Sequence, residues 1–478
     1  MADQTKLVIL HTNDLHSRFE QMPKIASMLN RIRREKDGTA HVLAVDCGDH
    51  MDRAFIETEA TRGWANVAVM NRMKLDAALP GNNEGLTFTL SELGAVYQKA
   101  ELPVICANLL DSMKGTPPDW MHPYQLLQAG RLTVAIIGVT AAFADFYQQL
   151  GWDALDPIET VSRIVPIVRG AADVVILLSH LGLSQDRQLV QKVPGIDILL
   201  GGHTHHLLET PLLENGTLIC GAGKFGTHVG RVELVYDHDK RKICQLSGGC
   251  LLVDNEEGDP ELASALAKCR IESERRLSVP VTTLREDMPA QLAEETRLGD
   301  LLANAIRRAT GTDVALVNAG QLVEGLSKGT VTEGMLHRIC PSSIHACVTH
   351  LTGTDLLQAL EESLLPENTT RNIYGYGFRG TALGMLNVSN MTIHYDAEAP
   401  SYRKIFRVDL NGEPLVHDRI YRVGTIGMFL FGLGYPTLAN GTETRHQLPL
   451  FLRDLLAAEL KRYTEGSEDV WQKCWIPV

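Results

Sequence analysis

Short apolar runs alternate with amphipathic stretches through the first half of the chain. Runs at 6–11, 41–46, 104–107, 132–138, 173–179 and 196–200 are rich in Val, Ile and Leu. Their length and composition predict buried strands. Between them, segments 23–36, 60–73 and 158–169 carry apolar residues at helical spacing. The alternation predicts an α/β layered domain. The pattern breaks at 254–259, an acidic stretch reading DNEEGD. Asp259-Pro260 then supplies an N-cap followed by proline at the first helical position. Leu262, Ala265, Leu266 and Cys269 predict a linker helix over 261–277. Beyond it, Leu298, Leu301, Leu302, Ala305 and Ile306 form an apolar stripe over 298–310, and strands are expected at 391–395, 405–410 and 419–423. The expected organisation is a first domain over 1–255, a linker over 256–280 and a mixed α+β domain over 281–478.

Composition bounds the picture. A chain of 478 residues is too long for one core. With 44 % hydrophobic and 22 % charged residues it is ordinary globular material. The net charge of −13 argues against duplex nucleic acid as a partner, because phosphates would meet a repulsive field. The nine cysteines are irregularly spaced without a CxxC pair, which argues against a zinc knuckle and for inert buried thiols. The apolar run near the start is too short for a membrane span, so no membrane partner and a cytoplasmic location are expected. The pattern is silent on oligomeric state.

Five short polar motifs follow or end strand-like segments: Asp14-Leu15-His16, Gly48-Asp49, Gly81-Asn82-Asn83-Glu84, Ser179-His180 and Gly202-His203-Thr204-His205. In layered α/β proteins ligands gather beyond the carboxyl ends of strands. Any one of these motifs alone is ordinarily a turn, a cap or a solvated loop; their joint order is what points to a site. Asp14, His16, Asp49, Asn82, His180, His203 and His205 together offer two carboxylates, one amide and four imidazoles. That mixture suits Mn, Fe, Zn, Co or Ni better than Ca or Mg. It exceeds what one tetrahedral ion takes. It fits two divalent ions sharing a carboxylate, roughly 3.5–4 Å apart. His50 and His206, beside Asp49 and His205, are the nearest candidates for an added proton donor. Aromatic candidates for stacking a ring are Tyr376, Phe378, Phe429 and Phe431, with Arg379 placed to meet a phosphate.

These motifs resemble the calcineurin-like metallophosphoesterases, and with the C-terminal half included the chain resembles the 5′-nucleotidase family. The resemblance implies a sandwich of two mixed sheets flanked by helices, in four layers, followed by an α+β substrate-binding domain. It implies Asp14, His16, Asp49 and His205 on one ion and Asp49, Asn82, His180 and His203 on the other, with Asp49 bridging. It implies hydrolysis of a phosphate ester, with nucleotides as the expected substrates, through attack of a metal-activated hydroxide on phosphorus, and a hinge near the linker helix. Looser matches lie at Leu298-Gly299-Asp300-Leu301, Thr352-Gly353 with Leu356, and Tyr421-Arg422-Val423.

Four departures stand out. The family's G-N-H-E-F-D reads Gly81-Asn82-Asn83-Glu84-Gly85-Leu86, so Asn83 replaces the catalytic histidine. Its N-x-G-G-x-R runs from Asn318 to Val323, its P-F-x-N reads Pro341-Ser342-Ser343-Ile344, and the aspartate of its G-D-G-Y is Leu433. Asn83 keeps an amide able to donate to a phosphoryl oxygen but has no proton to deliver. Alternatives are therefore a cyclic nucleotide phosphodiesterase, a nucleotide-sugar pyrophosphatase, or a metal-bound ligand-binding protein with little turnover.

Overall fold

The apolar run ending at Thr12 becomes the strand Gln4–Thr12, whose second half is buried throughout. It runs parallel to His41–Asp46, with Leu7 opposite His41 and Thr12 opposite Asp46. On its other edge it pairs antiparallel with His228–Asp237. These strands are central to a seven-stranded mixed sheet ordered Lys242–Leu252, His228–Asp237, Gln4–Thr12, His41–Asp46, Ala77–Ala78, Val104–Ile105, Met121–His122. This computed structural model describes residues 3–465 and 471–478.

A second, six-stranded sheet is ordered Leu212–Glu214, Thr217–Gly221, Ile198–Gly201, Val174–His180, Leu132–Thr140, Tyr124–Ala129. Every residue of Val174–His180 is buried, as expected of a parallel strand covered on both faces. Helices Pro157–Arg169 and Leu183–Lys192 share the core of this sheet through Val161, Val165, Leu189 and Val190. The two sheets meet where Ala107 N–H donates to the Gly138 carbonyl at 2.7 Å. A Cβ on Gly138 would lie 2.3 Å from the Ile105 carbonyl oxygen, so only glycine permits the approach.

The segment expected as one helix over 60–73 is two, Ile56–Thr61 and Trp64–Met73. Arg62 and Gly63 separate them in the left-handed region, at φ 52° and 87°. Pro166 lies inside Pro157–Arg169, in its last turn, without ending the helix.

By contact density the chain divides into Met1–Ser273 and Glu274–Val478. The division falls inside the helix Pro260–Arg276. The second unit holds a five-stranded sheet ordered Leu386–Ser389, Val314–Asn318, Ile420–Ile426, His345–Thr352, Thr442–Phe451. A four-stranded sheet of Glu413–Pro414, Ile405–Leu410, Met391–Tyr395 and Trp475–Pro477 accompanies it. The stripe Leu298, Leu301, Leu302, Ala305 and Ile306 is buried on helix Arg297–Thr310 and joins the core of this unit. Thr296 caps that helix by accepting from the Gly299 N–H. The fold is α/β, with mixed sheets flanked by helices. Among the described residues no helix is long and apolar enough to cross a membrane.

Candidate metal centre

All five N-terminal motifs meet at the carboxyl ends of the parallel strands. Asp14 and His16 follow Gln4–Thr12, Asp49 follows His41–Asp46, and Asn82 follows the two-residue strand Ala77–Ala78. His180 is the last residue of Val174–His180, and His203 and His205 follow Ile198–Gly201. Backbone hydrogen bonds zip the first two loops together: Asp14 N–H to Gly48 O, His16 N–H to Asp49 O and Ser17 N–H to His50 O, at 2.8–2.9 Å.

Asp14, His16, Asp49, His203 and His205 all have positive φ, between 45° and 74°. Non-glycine residues occupy that region at a cost and cluster there when a site demands it. Gly48, at φ 97°, tightens the same turn: a Cβ there would lie 2.8 Å from both Gly81 N and His180 Nδ1.

Two groups of donors result. Nε2 of His16 lies 3.3 Å from Nε2 of His205 and 3.8 Å from Asp14 Oδ1, and His205 Nε2 is 3.4 Å from the same oxygen. In the other group, Asn82 Oδ1 is 2.7 Å from His203 Nδ1 and 3.2 Å from His180 Nε2. Asp49 spans both: Oδ1 is 3.3 Å from His180 Nε2, and Oδ2 is 3.9 Å from His16 Nε2. The geometry brings Asp14, His16 and His205 into one cluster able to hold a metal ion, and Asp14, Asp49 and His180 into another.

Neighbours fix the donors. Nδ1 of His180 meets the Cys47 carbonyl at 2.8 Å, which leaves Nε2 facing the carboxylates. Asn13 donates to Asp14 Oδ2 and to the Gly223 carbonyl, both at 2.7 Å. The His203 N–H points at both Asp14 oxygens. Glu84 accepts from three backbone N–H groups, those of Gly81, Asp49 and Met51. Phe225, at φ 61°, sets its ring edge-on to His16 and packs a centroid 6.5 Å from His205. The sequence reading did not single out Asn13 or Phe225. Asn13 carried a signal, a polar residue between a strand end and Asp14; Phe225 carried none.

Electrostatics follow from burial and crowding. Burial alone would raise the Asp49 carboxyl, but His180 and His16 outweigh it and hold it far below the usual range. Burial disfavours charge on His180, yet Asp49 and Asp14 push it up to about 10. Burial raises the Glu84 carboxyl, and the adjacent Asp49 charge adds to the shift. Two buried carboxylates drawing positive charge toward themselves, ringed by imidazoles on strained loops, form a donor set able to hold a divalent metal ion.

Other candidate residues land differently. Asn83 turns its amide nitrogen to His16 Nδ1 at 2.9 Å and to the Met51 carbonyl at 3.4 Å, rather than outward. His50 corrects an expectation: it is 0 % exposed, and burial lowers it to about 3, so it has no surface to offer a substrate and no proton to deliver. His206 is exposed, 2.9 Å from the Thr204 hydroxyl. Phe378 and Phe429, expected as stacking platforms, are instead core residues of the C-terminal unit. Asn318 is buried too, its side chain donating to the Leu383 carbonyl and accepting from Gln321. Of the four candidate aromatics, Tyr376 and Phe431 reach solvent, 56 % and 49 % exposed, stacked with centroids 5.1 Å apart. Arg379 is half-buried and donates to the Phe378 carbonyl.

Residues 7–207 match the calcineurin-like phosphoesterase model, and residues 278–439 match the 5′-nucleotidase C-terminal domain model. The chain is 37 % identical over 459 residues to the uncharacterized metallophosphoesterase YunD of Bacillus subtilis (strain 168), covering 95 % of this chain and 99 % of that protein. The chain belongs to the calcineurin-like phosphoesterases with a 5′-nucleotidase C-terminal domain. This phosphoesterase is also 23 % identical to the 5′-nucleotidase of Homo sapiens, covering 98 % of this chain and 88 % of that one. Its fold matches the solved NAD nucleotidase (NadN) of Haemophilus influenzae at a TM-score of 0.69 and 18 % identity, covering 99 % and 97 % of the two chains. The phosphoesterase is a metal-dependent hydrolase of phosphate esters.

Proposed function

We propose that this phosphoesterase hydrolyses nucleotide phosphates, with Asp14, His16, Asp49 and His205 holding one divalent ion and Asp49, Asn82, His180 and His203 a second. The observation that carries the reading is the reach of Asp49, one carboxylate with an oxygen toward each group of imidazoles. When bound, the ions supply a water of lowered pKa and neutralise charge on the phosphoryl oxygens. The protein's part is to hold those donors rigid. The Glu84 and Asn13 hydrogen bonds do this for the loops, and the Cys47 carbonyl orients His180. The strained backbone at five of the ligands supports the same role.

Asn83, at the position of the family's histidine, delivers no proton to the leaving oxygen. Asn83 has none to give, and His50 is sealed in the interior. General-acid assistance is typically worth about 10²–10⁴ in rate. Aryl phosphates and phosphoanhydrides, whose leaving groups need no proton, are therefore favoured over alkyl esters. The exposed stack of Tyr376 and Phe431 in the C-terminal unit is a surface on which a nucleobase or another flat ring can stack. We assign the N-terminal domain to 1–255, the linker to 256–280 and the substrate domain to 281–478.

The test is a hydrolysis screen of purified protein supplied with Mn, Co, Zn or Ni. Substrates are an aryl phosphate, nucleoside monophosphates, 2′,3′-cyclic nucleotides and dinucleotide pyrophosphates. Turnover of an aryl phosphate and of at least one nucleotide is expected. Tight metal binding with no turnover of any of them would replace this reading with that of a ligand-binding protein.

A further inference from the structure

We propose that Asn83 is a positioning residue for His16, fixing which ring nitrogen faces the centre. This inference rests on the metal assignment above. Nε2 of His16 points at His205 and at the Asp14 and Asp49 carboxylates. The opposite nitrogen, Nδ1, lies 2.9 Å from the Asn83 side-chain amide, with an Asp52 oxygen farther off at 3.9 Å. A neutral imidazole that offers Nε2 to a cation must carry its hydrogen on Nδ1, and that hydrogen needs an acceptor. An asparagine amide presents a carbonyl oxygen from one end and an N–H from the other, and the two ends are told apart by their neighbours alone. Turned so that Oδ1 faces Nδ1–H, at the cost of the amide nitrogen's 3.4 Å bond to the Met51 carbonyl, Asn83 locks His16 as an Nε2 ligand. Turned so that Nδ2 faces Nδ1, it matches the tautomer with Nε2–H directed at the carboxylates. In either orientation the amide holds Nδ1 on its own side, so Nε2 is the nitrogen that faces the centre.

The backbone of Asn83 ties this device to the bridging carboxylate. Its N–H donates to Asp49 Oδ1 at 2.7 Å, and its carbonyl accepts from the Thr87 hydroxyl at 2.5 Å. Asn83 therefore stands between Asp49, which spans both donor groups, and His16, which belongs to one of them. Its amide is committed to the imidazole, which makes it a support for the centre and not a group that touches the phosphate.

The experiment measures transition-metal affinity and stoichiometry by chelator competition with Mn and Co, alongside the His16 tautomer from ¹⁵N ring shifts. Partners that orient a ligand histidine are worth about 10–100-fold in metal affinity. Asn83→Ala should weaken one of two bound equivalents by that factor and mix the His16 tautomers. Asn83→Asp, which restores an acceptor to Nδ1–H, should recover the affinity; Asn83→Leu should not. The backbone N–H to Asp49 survives in all three variants, so the comparison isolates the side chain. Two equivalents bound as tightly by Asn83→Ala as by the parent would overturn this inference and leave the two-ion reading standing. Failure of Asn83→Asp to recover the loss would overturn it as well. A parent protein that binds neither metal would instead sink the two-ion reading itself.

Discussion

Asp49 is the residue whose loss both donor groups should feel. Its two oxygens reach toward His180 on one side and His16 on the other, whereas Asp14 meets both imidazoles through Oδ1 alone, at 3.9 and 3.8 Å. Asp49→Asn keeps the volume but removes the charge that draws cations into the buried site. The expected result is fewer than two metal equivalents bound and a fall in kcat of about 10²–10³, since each ion contributes several kcal/mol of transition-state stabilisation. Retention of both equivalents and of more than a tenth of the rate would remove Asp49 from the bridging position. A second carboxyl, far along the sequence, sets a pH dependence of stability. Asp300 accepts from Trp471 Nε1 at 2.9 Å, and burial followed by the Glu295 charge pushes it up to about 9. Its folded pKa is raised, so the folded state keeps a proton that the unfolded chain gives up near the usual carboxylate value of about 4. The stability from that proton is complete below about pH 4 and is lost as pH rises toward the folded value. Asp300→Asn carries no proton to lose. Urea midpoints should decline between pH 5 and 9 more steeply in the parent than in the variant; parallel slopes would contradict the assignment.

At the scale of elements, Glu84 staples two loops together, and its truncation tests how much rigidity the centre needs. Glu84→Ala leaves the N–H groups of Gly81, Asp49 and Met51 without their acceptor inside the protein. An unsatisfied buried donor costs about 1–3 kcal/mol, and with partial relaxation the net loss should be about 2–4 kcal/mol. Urea denaturation of Glu84→Ala should show that loss together with weaker metal binding; an unchanged midpoint would mean that water replaces the carboxylate freely. Glu84 was legible in the sequence as part of a motif, as were all seven proposed ligands, because polar clusters at the ends of apolar runs are local signals. The long buried strands were legible for the same reason: Val174–His180 and Gln4–Thr12 are dense apolar runs. The hairpin of His228–Asp237 and Lys242–Leu252 was not. Its outer strand has no buried residue and carries two glycines, so neither a period nor a run announces it. The two-residue strand Ala77–Ala78 is too short to show a pattern. Depth was hidden as well. Phe378 and Phe431 read alike in sequence, yet one is in the core and the other is half exposed, because burial is decided by residues distant along the chain.

At the scale of the whole molecule, an acidic chain of net charge −13 must attract an anionic substrate. The surface as a whole repels a phosphate, so local positive charge in the site has to reverse the field there. That places both affinity for substrate and part of the stability under control of the bound cations. All seven proposed ligands lie within Met1–Ser273, while Glu274–Val478 has a separate hydrophobic core. Binding to the folded state stabilises it by RT ln(1 + [L]/Kd), about 2.7 kcal/mol at a hundredfold excess over Kd. The effect belongs to the unit that holds the site. Hydrogen exchange followed peptide by peptide, with Mn or Co present and then removed by a chelator, should show slower exchange with metal in loops 12–17, 47–51, 81–84 and 202–206. Strand Val314–Asn318, buried in the other unit, should exchange at the same rate in both conditions. Equal protection throughout both units would mean that the metal-linked stability is shared by the entire chain. Unchanged exchange in the four loops would leave the carboxylates and imidazoles with a structural role alone.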